Sequence, residues 1–215
     1  TVEVFDNGEK VGEGTAPCGT AVKVHVADAK LWTPETPHLY DLKVSLKQDG
    51  KVVESVDSYT AMREVGKIRD EFGHLRATLN GKPIFMYGPL DQGWWPDGLY
   101  TAPTDEALAW DIKFTKELGF NTIRKHIKVE PEIFYYLCDK IGMVVFQDMV
   151  NNGKYSFFFD TALPTVGFIS RSDKKRHPDK RSRNAFLSHL DETANLLKNH
   201  ASICLWTIFN EGWGQ

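Results

Sequence analysis

Asn210 and Glu211 follow directly on a run of large apolar residues, Ile203 to Phe209. A carboxylate at the mouth of an apolar strand sits in a low-dielectric setting, which disfavours its charged form and suits it to general acid chemistry. The asparagine beside it offers both a donor and an acceptor, a combination that fits a hydroxyl-rich ligand. Trp206 and Trp213 flank the pair with flat apolar faces against which C–H bonds can pack. Other polar and aromatic residues recur just past other apolar runs. They are Asp91, Gln92, Trp94, Trp95 and Asp97, then Arg124 and His126, then Gln147, Asp148, Asn151 and Asn152. The plainer alternatives are a solvated strand end for Glu211, a structural ion pair for Arg124, loop packing for Trp94 and Trp95, and an ordinary hydrogen-bonded histidine at position 126.

Two kinds of element must position these groups. Residues 1 to about 65 read as strands with turn punctuation: "TVEVF" before "DNGEK", then "AVKVHV", "LYDLKVSL", "QDGK" and "VVESV". Short alternating strands at this spacing predict a β-sandwich. The two prolines of "LWTPETPHLY" rule out a central strand there. From about residue 80 the rhythm changes. "KPIFMYG", "NTIRKH", "MVVFQD" and "SICLWTIFN" read as strands, with helices between them. The first helix is capped by Thr104 and carries Ala107, Trp110, Phe114 and Leu118 at helical spacing. The second has Pro131 in its first turn and Gly142 at its end, and the third aligns Phe186, Leu190, Ala194 and Leu197.

Alternating strands and helices, with strands apolar on both faces, predict a parallel sheet covered by helices. Four such units can begin a doubly wound sheet or a (β/α)8 barrel. No G-x-G-x-x-G follows a strand, which disfavours a dinucleotide fold. The polar residues gathered past each strand favour the barrel, whose chemistry sits at that end.

Composition excludes little else. Lys plus Arg number 26 and Asp plus Glu 29, a net charge of −3, with no global pull towards nucleic acid or an acidic membrane. No apolar run reaches transmembrane length, and no signal peptide is recognisable. Cys18, Cys138 and Cys204 are far apart, lack metal-ligand spacing, and read as buried thiols at positions 138 and 204. No cofactor is expected. Both ends read as cut from something longer, because the chain opens inside a strand and closes four residues past Glu211.

Six stretches, taken in order, resemble glycoside hydrolase family 2, the β-galactosidase, β-glucuronidase and β-mannosidase group. They are "LWTPETPHLYDLKVSL", "SYTAMREVGKI", "LNGKPIFMYG", "LGFNTIRKHI", "YYLCDKIGMVVFQDM" and "LWTIFNEGWG". The resemblance covers nearly the whole chain. It implies an α/β fold: a partial immunoglobulin-like β-sandwich over residues 1–67, then the first four βα units of a (β/α)8 TIM barrel over residues 68–215. It implies a retaining β-glycosidase in which Glu211 is the general acid/base, Asn210 binds the sugar 2-hydroxyl, and Arg124 orients the nucleophilic carboxylate. Arginine suits that task because its rigid fork of donors holds a carboxylate ionised and aimed. Asp148 matches an acidic substrate contact and His126 a substrate-contacting strand end. Asp91, Trp94 and Trp213 complete the expected sugar-binding set, with "GPLDQGWWPDGLY" standing where β-galactosidases carry a histidine-rich stretch.

Retention needs two carboxylates, and the family's nucleophile ends a seventh strand. A chain with four such strands is expected to be a fragment, inactive alone. The expected partner is a glycoside or oligosaccharide, with no nucleic acid and no membrane, and with self-association through open sheet edges. The long stretch from Val150 to Arg181 holds an aromatic run and the basic "RSDKKRHPDKRSR", a solvated segment or a lure for an acidic glycan. A non-catalytic carbohydrate-binding scaffold and a structural module are the rival classes.

Overall fold

The computed structural model describes residues 1–150, 157–168 and 180–210. Strands β1 (Val2–Asp6) and β2 (Glu9–Gly14) form a hairpin turned by Asn7 and Gly8 at φ 50° and 86°. That left-handed pair is what a two-residue hairpin turn demands. Asp49 and Gly50, at φ 51° and 77°, do the same between β3 (Tyr40–Gln48) and β4 (Lys51–Thr60). The four make one antiparallel sheet, ordered β2-β1-β3-β4, which is the expected sandwich unit. The alternating "AVKVHV" is not a strand: residues 21–26 carry no assigned ladder, although Val22, Val24 and Val26 lie close over Gly12 and Gly14. The alternation encodes a packed face, and packing on β2 satisfies it without a backbone ladder.

Next come β5 (Val65–Arg69), β6 (Leu75–Leu79) and β7 (Lys82–Pro83), an antiparallel sheet of three. Here the expected first barrel strand is corrected. The start of "KPIFMYG" pairs back onto β6, and the first parallel strand is β8, Leu90–Asp91. The stretch before it already runs along β9 (Thr122–Lys125): Asn121 N–H donates to the Tyr87 carbonyl and Arg124 N–H to that of Pro89. Pro89 has no N–H to return, so the regular ladder is short. At Gly88 any Cβ would come within 1.5 Å of the Thr122 carbonyl oxygen, so only glycine lets these backbones meet.

With β10 (Val144–Asp148) and β11 (Ile203–Thr207), these strands form a parallel sheet ordered β11-β10-β9-β8. Helix α1 (Asp105–Glu117) starts at Thr104, whose hydroxyl accepts the Ala107 N–H at 3.2 Å. Its packed face differs from the expected one. Leu108 and Ile112 are buried, while Trp110, Phe114 and Leu118 are exposed, with the Trp110 and Phe114 rings stacked 4.9 Å apart. Both stripes have helical spacing, and the fit of the aliphatic pair over the sheet decides between them.

Helix α2 (Glu132–Ile141) begins after Pro131 and stops at Gly142, at φ 84°. A π-helical turn, Phe157–Ala162, leads into the short α3, Leu163–Thr165. Helix α4 (Lys180–Leu197) buries Phe186, Thr193 and Leu197 and half-buries Leu190 and Ala194, as its spacing predicts apart from the added threonine.

Two apolar cores sit on opposite faces of the parallel sheet. Ile123, Val145 and Ile203 meet helix residues Leu108, Phe134, Cys138 and Leu197 on one face. Val144, Phe146 and Cys204 meet Trp32, Leu79 and Met86 on the other. Burial pushes the Cys138 thiol up and the half-buried Cys204 thiol up to about 11, so both stay protonated near neutrality.

The N-terminal unit docks where the parallel strands begin. Trp32 Nε1 donates to the Asp139 carbonyl at 2.7 Å. The fully buried Asp139 carboxylate accepts from the Tyr59 hydroxyl and the Ser202 N–H, both at 2.7 Å, and lies 2.8 Å from His200 Nδ1. Burial, then the charge of Asp139, raises the Tyr59 phenol, which keeps its proton as a donor. Arg63 adds bonds to the Ala201 and Ile203 carbonyls. This leaves the opposite ends of the strands, their C-terminal tips, open for chemistry.

Candidate functional site at the strand tips

Alternation along each strand divides the polar residues between two faces. In β9, Ile123 joins the helix-side core, so Arg124 points to the other side. In β10, Val145 faces the helices and Phe146 the opposite side, and Phe146 is in register with Arg124. Asp148, two residues on, therefore emerges beside the arginine.

The contact is direct. Arg124 Nε lies 3.0 and 3.2 Å from the two Asp148 oxygens, and Nη2 donates to Oδ2 at 2.9 Å. The same Nη2 donates to Asn210 Oδ1 at 2.8 Å. One guanidinium thus ties the tips of three adjacent strands, β9, β10 and β11. Asp148 is fully buried and Asn210 nearly so, while the arginine keeps a third of its side chain in solvent. An isolated buried carboxylate would be costly, and the forked charge-assisted pair is what allows one here. The N–H of Ile127 also points at Asp148 Oδ2, at 3.4 Å. Ile127 holds φ at 43°, unusual for a β-branched residue and a sign that the surroundings impose the backbone there.

Arg124, Asp148 and Asn210 are thus brought together. Glu211 and Trp213, with Asn151 and Asn152, lie outside the described residues; Glu211 is the next residue after Asn210. The remaining described candidates make other contacts or face solvent. Asp91 spends its carboxylate on Lys125, at 2.7 Å, and on the Gly93 N–H, also at 2.7 Å. His126 is half-buried beside it, with its N–H on the Asp91 carbonyl. Trp95 and Trp206 pack against the helix-side core, whereas Trp94 is exposed, as are Gln92 and Asp97.

Gln147, expected on the rim, is a buried strut facing the helices. Its Oε1 accepts from the Tyr135 hydroxyl at 2.6 Å and its Nε2 donates to the Lys128 carbonyl at 2.8 Å. Adjacent strand residues point opposite ways, so Gln147 and Asp148 cannot both face the site.

Sequence reasoning missed the foundation under this rim. Lys125 is 1% exposed, paired with Asp91 at 2.7 Å and Glu130 at 2.6 Å, and lies 4.7 Å from the Phe134 ring centre. Lys128 also pairs with Glu130, at 2.8 Å. The signal was the density of charge in "RKHIKVE", too high for a stretch leaving a buried strand without internal pairing. A hollow of about 540 Å3 opens between β8 and α1, lined by Trp94, Trp95, Asp111, Lys125 and Glu130 among others. Arg124, Asp148 and Asn210 do not line it. Among the described residues no cluster of His, Cys, Asp and Glu is placed to hold a metal ion, and no helix is long and apolar enough to cross a membrane.

Known proteins share this arrangement of sequence and fold. Residues 1–63 match "Glycosyl hydrolases family 2" and residues 74–214 match "Glycosyl hydrolases family 2, TIM barrel domain". The β-galactosidase of Pseudoalteromonas haloplanktis is 28% identical over 188 residues, covering 87% of this chain and 16% of that protein. The β-galactosidase of Lactobacillus delbrueckii subsp. bulgaricus is 28% identical over 218 residues, covering 99% and 20%. The chain therefore spans at most a fifth of the length of these two relatives. A solved structure of a β-glucuronidase from Ruminococcus gnavus, in complex with C6-substituted uronic isofagomine, superposes with a TM-score of 0.76 at 19% identity, over 97% of this chain and 32% of that one. The N-terminal sheet unit, the four parallel strands with their helices and the family matches agree, and the chain belongs to glycoside hydrolase family 2.

Proposed function

We propose that this chain carries the acid/base half of a retaining β-glycosidase site. The observation that supports it is the Arg124 guanidinium clamping Asp148 and the Asn210 amide oxygen at three strand tips, one residue before Glu211. Asn210 Oδ1 accepts from Arg124, which turns the amide nitrogen away from the arginine and fixes the orientation of a group suited to a sugar hydroxyl. Glu211 protonates the departing glycosidic oxygen as that bond breaks, then takes a proton from the water that releases the sugar. The second carboxylate of such a reaction stands roughly 5–5.5 Å away. Asp148 does not fill that role: it is fully buried and both its oxygens face Arg124. We assign the nucleophile to no residue of this chain.

The test uses a longer polypeptide containing these 215 residues and the rest of the barrel, assayed on aryl β-galactosides and aryl β-glucuronides. The first-formed sugar, followed by NMR before mutarotation, is expected to be the β-anomer. An α-anomer first, or sugar binding with no turnover, contradicts the reading. The 215-residue polypeptide by itself is expected to give no turnover.

A further inference from the structure

We propose that Gln147 is a positioning residue for the site. Its amide holds the turn from His126 to Glu130 in a bend that brings the Ile127 N–H to the Asp148 carboxylate, and so sets the Arg124 clamp. This rests on the glycosidase reading above. Gln147 and Asp148 are neighbours in β10 and point to opposite faces of the sheet. The turn that leaves β9 meets both. Its Lys128 carbonyl accepts from Gln147 Nε2 at 2.8 Å on the helix side, and its Ile127 N–H lies 3.4 Å from Asp148 Oδ2 on the other. One turn thus clasps the tip of β10 from two faces.

The glutamine amide is itself immobile. Gln147 and Tyr135 are fully buried. Burial pushes the Tyr135 phenol up, so it keeps its proton and donates it to Gln147 Oε1 at 2.6 Å. That bond orients the amide, and Nε2 spends its two hydrogens on the carbonyls of Lys128 and Asp148, both at 2.8 Å. The Tyr135 oxygen in turn accepts the Glu130 N–H at 3.1 Å. A pair of apolar side chains would fill this space without saying where the turn goes, whereas a satisfied buried network specifies it.

The backbone is held rather than relaxed. His126 is tied by its N–H to the Asp91 carbonyl at 2.9 Å, Lys128 by its carbonyl and Glu130 by its N–H. Between the first two, Ile127 sits at φ 43°, a conformation that a β-branched residue leaves when nothing enforces it. What the bend delivers is a donor for a buried carboxylate. Arg124 contacts both Asp148 oxygens, yet a third of its long side chain stays in solvent, free to swing with the carboxylate. A backbone N–H from a pinned turn gives that carboxylate a fixed reference. Through Arg124 Nη2 the same reference reaches Asn210 Oδ1.

The experiment removes the hold and then the strain. In a longer polypeptide that contains these 215 residues, kcat is measured per folded molecule on whichever aryl β-galactoside or β-glucuronide it cleaves, well below each variant's urea midpoint. Gln147→Met keeps the length of the side chain and loses the amide; it is expected to lower kcat about tenfold, with KM within about twofold. Adding Ile127→Gly is expected to regain about threefold or more of that loss, because glycine takes a positive φ without being held there. Amide hydrogen exchange at residue 127 is expected to be about tenfold faster in Gln147→Met than in the unmutated protein. If Gln147→Met does not fold, Tyr135→Phe reads the same chain of contacts, with kcat about threefold lower and again recovered by Ile127→Gly. Unchanged kcat in the folded variant, or a loss that glycine leaves untouched, overturns the positioning role while leaving the glycosidase reading intact. Unchanged exchange at residue 127 overturns it too. Absence of turnover by the unmutated polypeptide overturns the glycosidase reading instead, and the exchange measurement still decides whether Gln147 holds the turn.

Discussion

Glu211→Gln, in a longer polypeptide that contains these 215 residues, is expected to lower kcat/KM about 10²- to 10⁴-fold on glycosides with poor leaving groups such as sugars and alkyl alcohols. The amide keeps the shape of the carboxyl group and its hydrogen bonds but has no proton to give. A dinitrophenolate leaves without protonation, so with a dinitrophenyl glycoside the first step is spared and only water attack slows. The glycosyl-enzyme then accumulates and KM falls along with kcat. A plot of log(kcat/KM) against leaving-group pKa is therefore steeper for the variant than for the unmutated enzyme. Parallel plots, with equal loss on good and poor leaving groups, would contradict the acid/base role.

The second large effect concerns Arg124. Replacing it with methionine strands a fully buried Asp148 carboxylate and releases the Asn210 amide. Removing one partner of a buried pair costs about 3–5 kcal/mol, read as a lower urea midpoint at unchanged m-value. Misplacing the amide and the adjoining Glu211 is expected to cost about 100-fold or more in kcat/KM. Lysine restores the charge but not the fork, so Arg124→Lys recovers part of the stability and little of the activity. Arg124→Met combined with Asp148→Leu separates the two losses: with neither charge buried alone, stability returns while activity does not. Return of both would mean that the pair serves folding only.

The clustering of Arg124, Asp148 and Asn210 was legible in the sequence where residue chemistry and strand period agreed. Asp148 closes the apolar strand β10 and Asn210 follows the apolar run of β11, while Arg124 lies in the short β9 beside Ile123. The same logic misplaced Gln147, because a list of residues near a strand end ignores which face each one takes. Composition found the alternating valines of residues 21–26 but could not tell a packed coil from a laddered strand.

In α1, two apolar stripes compete at the same spacing, and only the sheet selects Leu108 and Ile112 over Trp110 and Phe114. The true first parallel strand was hidden by Pro89 and by Gly88, whose close approach to Thr122 is a backbone fact that no side-chain pattern reports. The charges under the rim were equally opaque. Lys125, Lys128 and Glu130 look like a solvated turn until the fold closes over them and pairs them.

The structure also gives the domain junction a clear part. Asp139 fixes the start of β11 through the Ser202 N–H, and Tyr59 reaches the same carboxylate from the N-terminal sheet. The segment from Ser202 through β11 to Asn210 is thus held at both ends, by Asp139 where it begins and by Arg124 where it finishes. On the proposed glycosidase reading, an asparagine held this way is preorganised, so the site has little to rearrange as charge develops.

Chemical rescue of Glu211→Ala with azide puts the assignment to its most direct trial. Without the carboxylate, an activated aryl glycoside still forms the glycosyl-enzyme, and the small anion attacks it in place of an activated water. Recovered turnover that yields a β-glycosyl azide is the predicted outcome. No recovery at any azide concentration, or an α-glycosyl azide, would show that residue 211 does not move the proton.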